Sequence, residues 1–526
     1  MSTPMTTIKV CSGVRLDNSY KHSIYFSSLR DQKAYFETKV TQIFTAYSYC
    51  RKNWSIKLHA TIARARTWSY LFFDNPEDLK TYFYFITDVQ YINDETVEVF
   101  LEIDVLQTYF FETRFAPCFV ERETPRSDEL YEHTIDEGLD VGHLTVNKFE
   151  RIDELTDLDV MCMTSVDLND LTDSLAGNDF GKIYSGLRLY RTEASASAIG
   201  RVLSKLSEDN KLDAIVSMWM YPADLIVSIA PDADANDKTF WEVEDVYSFD
   251  WKASPSSTID GYTPKNKKLF CYPFNFIHVD NGVGGSADYR FERFNGDDGI
   301  KFLVSGSVLP DGAVKLSPKY YNGATTNHEE GLTLSGFPTC AWTGDTYKIW
   351  LAQNQNQHKT QEVASGLTIG AGMAMTIAGV ATMNPMLMGS GATMIGGGVM
   401  SVASHLAQKE DMKTYPPQAH GAQNASVNSA NGWMTFTFYY KSVTAERAKI
   451  LDDFFTLYGY KVNQVKEPSR HNRKLFTYTK TVDCTVYGDF CQEDRAKIAS
   501  CFNNGVTYWT NGDLIGEYDE LNGFLD

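Results

Sequence analysis

Between residues 363 and 408 the chain has no Asp, Glu, Lys or Arg. Elsewhere in its 526 residues charge is plentiful, with 68 acidic against 48 basic side chains and a formal net charge of -20. That shortage of basic residues argues against a surface that wraps nucleic acid, which needs Lys and Arg to neutralise phosphates. Cysteine is sparse as well: there are nine, scattered and odd in number. A complete intramolecular disulfide framework is thereby excluded, and a reducing site of synthesis is favoured. The first residues, MSTPMTTIKVCSG, have neither the basic region nor the apolar core of a signal peptide, so classical secretion is not expected.

Motifs that carry chemistry are missing too. No dinucleotide fingerprint, HExxH or nucleophile-elbow sequence occurs. Gly177 to Lys182 falls one residue short of a phosphate loop and has Ile183 where Ser or Thr would hold magnesium, so it reads as a surface turn. Cys484, Cys491 and Cys501 lack the tight spacing and fourth ligand of a zinc site. Glu98, Glu102 and Asp104 lie on one face of a strand pattern and read as a solvated face rather than a glycosidase pair. No enzyme, cofactor or metal is expected.

Aromatic residues are abundant: 31 Phe, 30 Tyr and 9 Trp. They favour strands, because rings pack well on a pleated surface. In TVEVFLEIDV, Val97, Val99, Leu101, Ile103 and Val105 alternate with mostly acidic residues, and the upstream run 81–92 pairs with it through Asn93-Asp94 as a hairpin. Residues 121–179 turn acidic and irregular, reading as turns and solvated edges between short strands such as 160–166. Residues 195–212 fit a helix with Ile199, Val202, Leu203 and Leu206 on one face, and 241–246 a distinct short element. Strand patterns with DNG and PDG turns return over 260–355, including 346–353, and again at 433–440. Thr444 caps a helix carrying Ile450, Leu451, Phe454, Phe455 and Tyr458 that ends at Gly459. Strands near 462–465, 475–488 and 506–509, and a helix near 493–502, close the chain.

This reading gives five regions: a β-rich N-terminal part at 1–184, a mixed insertion at 185–260, a second β-rich region at 261–362, the uncharged segment at 363–408, and an α+β C-terminal part at 409–526. One strongly basic run interrupts the acidic background. Lys461, Lys466, Arg470, Arg473, Lys474 and Lys480 face a single acid, Glu467, and are candidates for contact with an acidic neighbouring subunit or with DNA.

The uncharged segment consists of two arms joined at Asn384-Pro385, each of about 20 residues, the length that crosses a hydrocarbon core as a helix. Nine Gly and seven of the 15 Met lie in it. Gly366 and Gly370 permit close backbone approach, while the glycines at 396–398 weaken a helix by about 1 kcal/mol each. It lacks aromatic girdles and a positive flank, unlike a resident membrane span. Left in water it would aggregate, so it must be covered. The residues that carry its membrane-active character are Gly366, Gly370, Met373, Met375, Pro385, Met386, Met388, Met394 and Met400.

Several separated stretches carry a family likeness: EIDVLQTYFFETRF at 102–115, TIDEGL at 134–139, PPQ at 416–418, the long run at 454–484, and NNGVTYW at 503–509. Through them the chain resembles the tail knob, or distal tail tube, proteins of small short-tailed phages of Gram-positive bacteria, the Picovirinae type. That resemblance implies a mainly β fold with some α: β-rich tube domains from both ends of the chain form a homohexameric ring, with an inserted α/β region and a long hydrophobic loop. It also implies a place at the distal end of the virion tail, beside proximal tail tube or connector proteins, with phage DNA passing through the lumen without sequence recognition. The loop would plug the lumen and then open a channel in the host cytoplasmic membrane during genome ejection. A host-surface adhesin at the tail tip is the alternative, and an isolated core hairpin in a monomeric enzyme is a third reading.

Overall fold

The computed structural model describes residues 6–50, 54–165, 178–180, 183–185, 187–195, 198–199, 201–202, 206, 214–229, 241–308, 312–340, 342–344, 418–420 and 434–525. The uncharged segment 363–408, the strand expected at 346–353, the Pro416-Pro417 pair, Leu203, the end of the 195–212 helix and residues 310–311 of the PDG turn lie outside them. The chain divides into two units, one of residues 1–143, 258–274 and 443–526, the other of 144–257 and 275–442.

The first unit is built on a seven-stranded sheet in the order Val40–Phe44, Ile8–Cys11, Tyr70–Asn75, Lys80–Asn93, Thr96–Ile103, Ser55–His59, Ser48–Cys50. Six spacings would set the edges of a flat sheet about 29 Å apart. Phe44 ends one edge strand and Ser48 begins the other, and four residues of chain reach at most about 14 Å. The sheet must therefore curl until its edges approach. Ile8, Val10, Phe44, Ile56, Leu58, Leu71, Val97 and Val99 come from five of the seven strands yet form one cluster with Trp68, so theirs is the concave face.

The other face is apolar as well. Tyr70, Phe72, Phe83 and Phe85 pack on Phe36 of the helix Leu29–Thr38, on the helix Gln492–Asn504 and on a second sheet. Phe36 stacks on Tyr70 at 5.2 Å. That second, five-stranded sheet runs His22–Ile24, Val506–Trp509, Phe476–Val482, Cys118–Glu123, Tyr460–Lys466 and so interleaves strands from both ends of the chain.

The hairpin of Lys80–Asn93 with Thr96–Ile103 forms as the alternation predicts. Its acidic face does not. The strand ends at Ile103, and Asp104 turns inward to cap the short helix Val105–Thr108, accepting from the Leu106 and Gln107 amides at 3.1 Å and from the Tyr70 hydroxyl at 2.8 Å. Asp104 is buried, whereas Glu102 meets Lys497 and Asn18 nearer the surface. Two further expectations need correction. Thr444 and Gly459 do cap the helix Ala445–Tyr458, but Ile450 and Tyr458 are exposed while Asp452 is fully buried. The acidic stretch after residue 121 is not all solvated either, since Glu123, Asp128 and Glu137 are buried in hydrogen-bonded positions.

The second unit holds a six-stranded sheet, in the order Ile226–Ile229, Trp241–Val246, Arg188–Thr192, Leu158–Thr164, Ile215–Pro222, Thr339–Cys340. The expected strand at 160–166 thus begins two residues earlier. Ile199, Val202 and Leu206 are helical and buried, as their spacing predicts, and Ala198 is buried beside them. A five-stranded sheet contains Phe249–Lys252, Lys301–Gly306, Val314–Tyr321, Ala324–Thr326 and Leu332–Leu334. A four-stranded sheet runs Leu144–Arg151, Thr437–Val443, Asn275–Asp280, Ser286–Tyr289. The strand expected at 433–440 is the second of these, shifted toward the helix that follows. The architecture is mixed α and β with several sheets, and among the described residues no helix is long and apolar enough to cross a membrane.

Burial pushes the Asp104 carboxyl up to about 6, and the Gln107 amide, the Tyr70 hydroxyl and the Leu106 amide pull it back only partly. The folded state therefore holds this proton over a range in which the unfolded chain, near 3.9, has released it. Its contribution to stability is full below about pH 4 and is lost as pH rises through about 6. Asp104→Asn keeps a capping oxygen and removes the titration. Thermal melts from pH 4 to 7 should show the wild type losing about 2 to 3 kcal/mol relative to this variant; parallel curves would show that Asp104 does not titrate in this range.

Candidate functional site

The predicted basic run lies in the first unit, around the edge of the five-stranded sheet. Tyr460–Lys466 pairs antiparallel with Cys118–Glu123, which pairs in turn with Phe476–Val482. Lys466 ion-pairs with Glu123, and Lys480 meets Glu121 at 2.8 Å. Arg470 donates to the Phe110 carbonyl at 2.8 Å and lies over the Phe110 ring at 4.4 Å. Arg473 is buried; it donates to the Pro125 carbonyl at 2.6 Å and lies over the ring of Phe524, near the C-terminus, at 3.8 Å. Lys461 is half-buried with its amide on Glu137, and Lys474 is exposed, its amide bonded to the Gly523 carbonyl.

Beneath this edge is a buried ionic junction. Arg122 and Glu137 meet at 2.6 Å with the Glu137 side chain wholly buried. Arg122 also donates to the Gly459 carbonyl at 2.7 Å. The second Glu137 oxygen accepts the Lys461 amide at 3.0 Å. Lys268, itself buried, donates to the His133 and Ile135 carbonyls and lies 3.9 Å from Glu137. Asp452 accepts from the Tyr262 hydroxyl and from the Lys265 and Asn266 amides at 2.7, 2.7 and 2.9 Å. Three separated chain segments are tied together here. Gly459 is required at the centre: it has a φ of +62°, and a Cβ there would stand 2.1 Å from the Glu123 carbonyl oxygen.

Burial raises the Asp128 carboxyl and lowers Arg473, two groups that face each other electrostatically in the same region. The acids of this junction were not singled out from sequence, although a signal was present: an acid-rich stretch after residue 121 and a base-rich stretch at 461–480 have complementary charge. Burial requires such complementarity, because an unpaired charge away from water is costly.

The outer face of this sheet carries an apolar row. Phe119 is in register with Val465 on one side and Val482 on the other, and all three are exposed, Val465 by 71%. Apolar and basic side chains thus share an edge strand whose outer backbone groups have no neighbouring strand among the described residues.

The nine positions assigned to the membrane-active segment, Gly366 to Met400, lie outside the described residues. Asn178–Phe180 and Ile183–Ser185 pair as a hairpin, in keeping with the turn read there from sequence. Cys484 and Cys501 are buried free thiols and Cys491 is exposed. Among the described residues no group of His, Cys, Asp or Glu is arranged to hold a metal.

Comparison with known proteins gives a consistent set of likenesses. The family described as Bacillus phage phi29, tail knob protein gp9, C-terminal domain matches residues 242–523. The family described as caudoviral major tail protein N-terminus matches residues 4–114. The chain is 25% identical to tail knob protein gp9 of Bacillus phage phi29 over 605 aligned residues, covering 98% of each chain. It is 26% identical to that of Bacillus phage B103, again over 98% of each. The fold is like that of the bacteriophage C1 tail knob protein gp12, with a TM-score of 0.66 over 97% of each chain at 12% sequence identity.

Removing one partner of the junction strands the others. Glu137→Gln should cost about 3 to 5 kcal/mol in denaturant unfolding, because Arg122 and Lys268 keep buried charge without a counter-ion. Arg122→Met with Glu137→Met should cost less than the two single changes summed. A loss below about 1 kcal/mol for Glu137→Gln would show that the junction does not hold the first unit together.

Proposed function

The chain belongs to the phage tail knob family of gp9, and on that premise we propose that it forms the distal conduit of a short phage tail, through which the genome leaves the particle. The observation that carries the reading is a charge-free stretch at 363–408 within a tail-protein sequence of net charge -20. In this reading six copies form a ring, and the segments converge in its bore and shelter one another from water. Formal charge would then be 6 × -20 = -120, and an acidic bore lets polyanionic DNA slide without binding. Proximal tail tube or connector proteins sit on one side of the ring and the host cytoplasmic membrane on the other.

Expulsion of the segments brings their apolar arms to the bilayer, where burial is favourable by about 25 cal/mol per Å². Gly366, Gly370, Met373, Met375, Pro385, Met386, Met388, Met394 and Met400 supply small contacts, a turn and adaptable apolar side chains for a channel. The edge Tyr460–Lys466 serves subunit contact, with the exposed Val465 and the half-buried Lys461 set against an acidic neighbour. No chemical step is assigned to this chain.

Purified protein should release dye from liposomes under conditions that free the segment, and deletion of 363–408 should abolish release while leaving the sheets intact by circular dichroism. Equal leakage by the deletion variant would remove the channel from the proposal. The adhesin reading has one observation in its favour: Trp54, exposed by 59%, stands with Tyr47, Phe73 and Tyr84 around a cavity of about 280 Å³, a ring arrangement suited to stacking on sugars. That reading predicts that purified protein competes with phage for adsorption and that Trp54→Ala does not; absence of competition eliminates it.

A further inference from the structure

The four-stranded sheet of the second unit is well held at its centre and open at both sides. Ile277 and Val279 are register partners of Tyr440 and Phe438. Phe438 stacks on Trp251 at 3.8 Å and meets Phe302 edge-on at 5.2 Å. The two outer strands have no further neighbour among the described residues.

One outer strand, Leu144–Arg151, is eight residues long and none of them is buried. Leu144, Val146 and Phe149 are exposed by 42%, 47% and 62%. A soluble chain ordinarily protects such an edge with a short strand, a proline, a bulge or an outward lysine. This strand contains no proline. Its one lysine, Lys148, is neutralised within the strand by Glu150 at 2.5 Å and lies over the Tyr440 ring at 5.3 Å, while Glu150 also accepts from the Tyr440 hydroxyl. The protecting charge is therefore engaged by the sheet itself, and among the described residues no strand covers this edge.

The opposite outer strand, Ser286–Tyr289, has the complementary character. It is short and carries one charge, Asp288, which meets His278 at 2.6 Å. Tyr289 anchors it through a hydroxyl bond of 2.6 Å to the Glu330 carbonyl. An edge rich in exposed apolar groups and ending in Arg151 thus lies at one side of the sheet, and at the other a short edge whose single acid, Asp288, stays half exposed beside His278.

We propose that Leu144–Arg151 of one copy pairs with Ser286–Tyr289 of the next, so that the four-stranded sheets of successive copies continue as one sheet. The inference rests on the self-assembly in the proposed function and names the surface responsible. Each copy gives one edge and receives the other, a heterologous contact that generates a ring when the rotation closes. Main-chain hydrogen bonds would replace water on both edges, Arg151 would face the acidic strand, and Leu144, Val146 and Phe149 would be covered.

The test uses the full chain, with mass read by sedimentation velocity and native mass spectrometry. Val146→Glu with Phe149→Glu alters no buried residue and should weaken assembly at least ~100-fold while leaving circular dichroism unchanged. Arg151→Glu and Asp288→Arg should each weaken assembly about tenfold, and their combination should recover most of the loss. If the wild type assembles and both the glutamate pair and the charge reversals assemble equally well, this edge is not the interface, although self-assembly stands. If the wild type stays monomeric at every concentration, the self-assembly reading fails and this inference with it. Should the glutamate pair unfold the chain, recovery by the combined charge reversal decides the matter.

Discussion

Two neighbouring strands, Tyr70–Asn75 and the first half of Lys80–Asn93, are apolar on both faces, and the first unit is arranged around that fact. A strand with one wet face could end its sheet against solvent. One with none must be covered twice. Curling brings Leu71 into a cluster shared with the other strands of the same sheet, while Tyr70, Phe72, Phe83 and Phe85 demand cover from elsewhere. That cover comes from the helix Leu29–Thr38 and from the C-terminal sheet and helix, so the two ends of the chain are drawn into one core.

Drawing distant segments together also determines where the charges go. The basic run reads in isolation as a surface for partners, yet Lys466, Arg470, Arg473 and Lys480 each reach a group of their own chain. Arg122, Glu137 and Lys268 form the buried counterpart. A buried ion pair adds less stability than its short distance suggests, because desolvation offsets attraction, but it penalises wrong pairings heavily.

The outward-facing features have a different character. Val465, Phe119 and Val482 on one sheet, and Leu144, Val146 and Phe149 on another, leave apolar groups beside open backbone edges. A chain that works alone has reason to eliminate such edges. The ring proposed for this chain would give such edges a use.

Alternation specified the hairpin at 80–103 and capping the helix between Thr444 and Gly459, since these depend on interactions within a few residues, and the helix near 493–502 and the last strand also form where the sequence reading put them. The charge-free stretch and the family likeness were equally legible, being properties of the order of residues. Which face Asp104 occupies, why Asp452 rather than Ile450 is inside, and how the acids after residue 121 meet the bases after 461 were decided only by tertiary structure. Burial of Asp452 and Glu123 depends on partners more than a hundred residues away, and that of Asp104 on Tyr70 as well as its own helix. Local pattern carries no record of them until the chain has folded and brought them within hydrogen-bonding reach.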